Sequence, residues 1–237
     1  EVGDDIPKCI ILNPKQKNCN YPFDGLSGCG VGFKLLEGIY KELQWNKKLL
    51  YSHLELVAIS IAADMVPITN ENRILAFHGL SKLNSNPIRA LKEMILSAKR
   101  TFPVNMQDIL FSIAPRINAV GRLRNGMFAV EFLTTNNKKN ISSILNDIHK
   151  DNEERKKLDE MVLNQALKKI LESKDFNLLD STILFDKSWH KGVLGIVASK
   201  LIENHHYQPT IILNEESGIL SGSARSIEGV NIYEAIY

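Results

Sequence analysis

The stretch from Asn140 to Ser173 constrains this chain more than any other. Ile141, Ile144, Leu145 and Ile148, then Leu158, Met161, Val162, Ala166, Leu167, Ile170 and Leu171, recur with a helical period and no Pro or Gly interrupts them. One long helix is the only regular structure that accommodates such a run. Its middle, Lys150-Asp151-Asn152-Glu153-Glu154-Arg155-Lys156-Lys157, is polar all round, which suits a helix crossing solvent between two bodies. The expected organisation is therefore a first domain over 1–137, a connecting helix over 138–173 and a smaller second domain over 174–237. With 237 residues, 44% of them hydrophobic, both bodies have material for a core.

The two flanks read differently. On the N-terminal side, Lys8-Cys9-Ile10-Ile11-Leu12-Asn13 is a short apolar run closed by Asn-Pro, the signature of a buried strand. Ser27 is placed to cap a helix whose apolar face is Val31, Leu35, Ile39 and Leu43. Leu49 to Met65 is apolar on nearly every side, as a central buried helix would be. Further helices are expected over 71–83, 87–100 (with Pro87 in its first turn), 106–114 and 126–134. On the C-terminal side the pattern is strand 181–185, helix 192–203, strand 210–213, strand 219–224 and a last helix from about Asn231. The fold class expected is α/β: one strand and many helices in the first domain, the long helix, and strands alternating with helices in the smaller second domain.

Composition narrows the partners. No run of about 18 apolar residues appears, so no membrane span is expected. Glu1–Pro7 has neither the basic nor the apolar part of a signal peptide, and the absent initiator Met suggests a start in mid-protein. Cys9, Cys19 and Cys29 are odd in number and form no CxxC pair, which favours reduced thiols in a cytoplasmic protein, Cys9 opening the strand and Cys29 in a glycine turn. Net charge is only +2, yet Arg73–Asn125 carries nine Lys/Arg against Glu93 and Asp108. A basic tract of this kind draws phosphate backbones, as would a helix surface that merely carries lysines.

Four places could carry chemistry. Asp64 ends the apolar helix in Ala62-Ala63-Asp64-Met65-Val66-Pro67; it is either a helix cap or one ligand of a hard divalent cation. Arg116, Asn118 and Arg122 alternate with apolar residues in Pro115–Leu123, and arginine's planar fork suits phosphate. Trp189-His190-Lys191-Gly192-Val193 is a glycine-bearing turn into a helix N-terminus, a place where anions bind; His190 is a candidate nucleic-acid contact as part of this turn, although a lone histidine is more often a surface residue than a ligand. Gly222-Ser223-Ala224-Arg225-Ser226 sets two hydroxyls and a guanidinium among small residues at a strand end. Arg225 either holds a phosphate or pairs with an acid such as Glu228.

In their order, these motifs resemble the RecJ family. The resemblance rests on Asn13-Pro14-Lys15-Gln16 with Tyr21-Pro22-Phe23, the Gly28–Lys34 turn, Ala63–Pro67, Arg116–Arg122, Trp189–Val193 and Gly222–Ser226, and covers nearly the whole chain. It implies a single-strand-specific, 5′-to-3′ DNA exonuclease of the DHH phosphoesterase superfamily, with the remainder of a DHH domain (a parallel sheet with many helices), a linking helix and a partial, smaller α/β DHHA1 domain. It further implies two Mn²⁺ or Mg²⁺ ions, with Asp64 as one ligand, a DNA-contacting role for Arg116, Asn118 and Arg122, and a seat for the strand's 5′-phosphate at Ser223 and Arg225. The family's Asp-rich and Asp-His-His motifs are absent, as are its late glycine-histidine motif and OB-fold domain. A chain truncated at both ends, inactive alone and retaining no metal, is expected. Recombination or replication proteins are further expected partners. The rival readings are a related DHH–DHHA1 phosphodiesterase for short oligonucleotides or cyclic dinucleotides, and a catalytically dead DNA-binding relative.

Overall fold

The computed structural model describes residues 8–123, 125–173 and 180–236, with the side chains of 121–123 left aside. The chain divides into two compact units, Glu1–Asn118 with Met127–Asn146, and Ala119–Gly126 with Asp147–Tyr237. No helix among the described residues is long and apolar enough to cross a membrane.

Every regular element among the first unit's described residues is a helix. It comprises α1 (Gly28–Glu42), α2 (Lys48–Tyr51), α3 (Leu54–Ala63), α4 (Asn70–Ser85), α5 (Arg89–Ser97), α6 (Met106–Asp108), a π-helical turn (Ile109–Ile113), the start of α7 (Ala114–Leu123), and α8 (Met127–Thr134). The central buried helix is α3, with Val57, Ala58, Ile59, Ile61 and Ala62 out of solvent. It packs with Phe33, Leu50 and Ala76. α4 crosses it closely at Gly79, where a Cβ would lie 2.3 Å from the Leu54 carbonyl oxygen. Buried Asn72 of α4 donates to the carbonyls of Gly25 (2.7 Å) and Pro67 (3.0 Å), fixing the loop that follows α3.

Several sequence expectations are corrected here. Residues 8–13 form no strand, and Ile10 is fully exposed. Strand carbonyls need a neighbouring strand, and here the Gln16 side chain donates to those of Ile11 and Asn13 instead (3.0 and 3.2 Å). Cys9 is accordingly exposed; Cys29 is exposed as well and lies in the first turn of α1. The expected apolar face of α1 is not its buried one: Leu35, Ile39 and Leu43 stay well exposed while Phe33 is buried, because the helix is apolar on two sides and α3 meets one. The run 49–65 is two helices, broken at Ser52-His53, where the Ser52 hydroxyl donates to the Leu49 carbonyl (2.6 Å). Pro87 precedes α5 and does not sit in its first turn. The helix starts at Arg89, with Ile88 as its N-cap at a non-helical ψ of 148° and its N–H donated to the buried Glu55 carboxylate (3.1 Å).

The long helix is α9 (Lys138–Glu172), 35 residues and so about 52 Å at 1.5 Å per residue. Its polar middle is not wholly solvated: Asp151, Asn152 and Asp159 are buried. A buried carboxylate needs opposite charge nearby, and Asp159 lies 4.0 Å from Arg155 and 3.8 Å from Lys200.

The second unit follows the predicted pattern: β1 (Thr182–Phe185), α10 (Lys191–Asn204), β2 (Thr210–Glu216), β3 (Ile219–Arg225) and α11 (Ile232–Ile236). β1 and β2 are parallel, joined through α10, and β2–β3 is an antiparallel hairpin. Ser217 and Gly218 turn it with φ of 55° and 80°, the mirror-image turn that matches strand twist. The core lies under α10, where Val193, Leu194, Val197 and Leu201 meet Trp189, Ile212 of β2, and Val162 and Ala166 of α9.

Candidate functional site

Residues two apart on a strand share a face. Ser221, Ser223 and Arg225 therefore line one side of β3, paired in register with Asn214, Ile212 and Thr210 of β2. That side carries α10. The Arg225 guanidinium donates from Nε to the Ser199 hydroxyl (3.2 Å) and from Nη1 to the Ser223 hydroxyl (3.1 Å) and the Ala224 carbonyl (2.8 Å). Ser199 in turn donates to the Gly195 carbonyl (3.1 Å). Nη2 lies over Gly195, where a Cβ would stand 2.8 Å from it and 2.9 Å from the Ser223 oxygen. Among the described residues no carboxylate pairs with Arg225, Glu228 included. A guanidinium edge and a hydroxyl proton thus stand side by side without protein acceptors, which is an anion-binding arrangement.

Two further predicted members, Ser226 and His190, make local hydrogen bonds. Ser226 donates its only hydroxyl proton within its own turn, to the carbonyls of Val230 and Ile227. His190 is the N-cap of α10: its Nδ1 accepts the Gly192 N–H (3.1 Å), so the cap takes one of the free N–H groups expected there. Gly195 and Ser199, which sequence reading passed over, complete the pocket. Their spacing, four apart on one helix face in Gly195-Ile196-Val197-Ala198-Ser199, was the available signal.

Asp64 is in the first unit. It is exposed, and it closes α3 as its C-cap, accepting from the Ser60 hydroxyl (3.1 Å). The expected apolar surroundings are therefore absent. The position is still locally unfavourable, because a carboxylate meets the negative end of the helix dipole with no basic residue in the last turn. Met65 beside it takes a left-handed φ of 52° and stays exposed. Local choices that oppose stability mark places selected for something else. No group of three or more His, Cys, Asp or Glu that could hold a metal ion occurs among the described residues. Two divalent ions want about six oxygen ligands each, so the described residues do not fit such a centre; Asp64 offers one carboxylate.

In the arginine motif, Arg116 is half-buried on α7 and donates to the Ser112 carbonyl one turn earlier, while Asn118 is exposed. The side chain of Arg122 lies outside the described residues. The π-helical turn directly before α7 offsets the helix face here, and such turns often accompany functional sites.

No family model matches the chain. The chain is 37% identical to the single-stranded-DNA-specific exonuclease RecJ of Bacillus subtilis over 242 residues, covering 100% of this chain and 29% of that protein. Against the RecJ of Escherichia coli it is 31% identical, over 99% of this chain and 43% of the relative. The chain thus spans less than half the length of these relatives. Among solved structures, RecJ from Thermus thermophilus in complex with Mg²⁺ superposes with a TM-score of 0.79 at 27% identity, covering 92% of this chain and 33% of that one. Its complex with Mn²⁺ gives 0.80 at 25% identity, covering 92% and 31%.

Proposed function

The chain belongs to the RecJ family, and from that premise we propose that it is part of a metal-dependent exonuclease acting 5′ to 3′ on single-stranded DNA. The observation that carries the reading is the Arg225–Ser223 pocket, with Ser199 and Gly195 behind it. A terminal 5′-phosphate carries more charge than an internal diester and has no chain beyond it, so an Arg–Ser pocket of this kind favours it. Arg116, Asn118 and Arg122 hold the strand's backbone without regard to base sequence. Asp64 contributes one oxygen ligand toward Mg²⁺ or Mn²⁺, ions with which RecJ structures have been solved. Among this chain's described residues none other than Asp64 is assigned to metal binding. A role in DNA repair and recombination, other recombination or replication proteins as partners, and a cytoplasmic location belong to the same proposal.

Arg225→Ala in the full-length protein tests it. The loss should fall on 5′-phosphorylated single strands, by tenfold or more in Kd, and spare 5′-hydroxyl strands. Equal losses on both would make Arg225 a brace for β3. Faster turnover of dinucleotides than of long strands would favour the short-substrate phosphodiesterase.

A further inference from the structure

Asn214 is an odd residue for its position. It lies in the middle of β2 and is 5% exposed. Asparagine is disfavoured in strands, and a buried amide is costly unless its groups are bonded. The two inward positions before it, Thr210 and Ile212, are both fully buried.

Both ends of the Asn214 amide are used. Nδ2 donates to the carbonyl of Trp189 (3.1 Å), and Oδ1 accepts from the Ser221 hydroxyl (2.9 Å). Trp189 immediately precedes His190, the cap that starts α10, and the Trp189 ring is itself buried with Nε1 donating to Gln165 of α9 (2.7 Å). Ser221 stands two residues before Ser223 and four before Arg225 on the same face of β3. One buried amide therefore ties the start of the helix that carries Gly195 and Ser199 to the strand that carries Ser223 and Arg225.

We propose that Asn214 is a positioning residue for terminal-phosphate recognition, setting α10 and β3 in the relative register that the Arg225–Ser223 pocket requires. This rests on the end-recognition reading given above. The physical need is plain: a bidentate site tolerates about half an ångström of misplacement, and the pocket's two halves come from different elements. Backbone pairing alone sets β3 against β2, but α10 is held to β3 by side chains, and the turn at its start needs an anchor. The Trp189 carbonyl, bonded to Asn214, supplies one.

The test uses the full-length protein, with single-stranded oligodeoxynucleotides bearing either a 5′-phosphate or a 5′-hydroxyl, bound in EDTA well below the melting temperature. Asn214→Leu keeps the branched heavy-atom shape and removes both bonds. It should weaken binding of the 5′-phosphorylated strand by about tenfold, as expected for loss of one well-placed charged contact, and change the 5′-hydroxyl strand by less than about twofold. Ser221→Ala, which leaves Asn214 in place but unbraced, should shift the ratio in the same direction by less. An unchanged ratio in both variants overturns the proposal, and if Asn214→Leu does not fold, an unchanged ratio in Ser221→Ala does so alone. Arg225→Ala separates the layers: if it too fails to discriminate the strands, the end-recognition reading has failed; if it discriminates and the Asn214 and Ser221 variants do not, only the positioning role has.

Discussion

Replacing Gly195 with alanine should make the second unit more stable and the protein worse at its work. Gly195 sits in the second turn of α10, so alanine there gains about 0.5–1 kcal/mol from helix propensity. The new methyl would stand 2.8 Å from Arg225 Nη2 and 2.9 Å from Ser223 Oγ, where ordinary contact begins at 3.4 Å. The obstacle is the end of a long side chain, so the guanidinium moves and the helix does not. The bonds of Arg225 to Ser199 and Ser223 are already 3.2 and 3.1 Å, and a shift of half an ångström takes them out of range. A charge-assisted bond to phosphate is worth about 1.5–3 kcal/mol; Arg225 is exposed, so the lower end applies, or about a tenfold loss of affinity. The assay pairs urea unfolding with equilibrium binding of 5′-phosphorylated and 5′-hydroxyl strands to the full-length variant. Affinity for the phosphorylated strand within twofold of wild type would refute a pocket between α10 and β3. A loss of stability would show that glycine is there for packing.

Two further outcomes follow from the same geometry. Asp64→Asn in the full-length protein should abolish cleavage, with strand binding retained and stability unchanged or raised by about 0.5 kcal/mol, since a carboxylate leaves the negative end of α3; cutting at a near wild-type rate would leave Asp64 as a cap alone. His206 bridges Thr182 (3.1 Å) and Thr210 (3.2 Å), and burial, with His205 nearby, holds its pKa below the usual imidazole range. The folded state thus favours the neutral ring, so the stability it contributes is present above about pH 6.5 and declines as pH falls below that; urea unfolding of His206→Gln at pH 5.5 and 7.5 should show a smaller pH difference than wild type.

The one-dimensional pattern of the second unit was readable because its signals are local. Alternating and continuous apolar runs, the Ser217-Gly218 turn and the capped start of α10 each act over a few residues, and β1, α10, β2 and β3 fall where the pattern puts them. The long helix was readable for the same reason, since no Pro or Gly interrupts the 35 residues of α9 and apolar periods run at both ends. Asp64, Arg116, Asn118, Arg122, Ser223 and Arg225 stood out as residue types in an ordered series of motifs.

What failed was whatever depended on a partner distant in sequence. Whether 8–13 is a strand depends on whether another strand lies beside it, and in its place Gln16 takes the carbonyls. Whether the middle of α9 is wet depends on what reaches Asp151, Asn152 and Asp159. Gly195 and Ser199 are ordinary helix residues until β3 brings Arg225 against them, 26 residues further along the chain in the case of Ser199. Asn214 is merely an awkward strand residue until its amide meets both Trp189 and Ser221. Local propensity and periodicity are properties of neighbours along the chain, and so they are written in it; burial, hydrogen-bond satisfaction and the convergence of donors on an anion are properties of neighbours in space, and they exist only once the chain has folded.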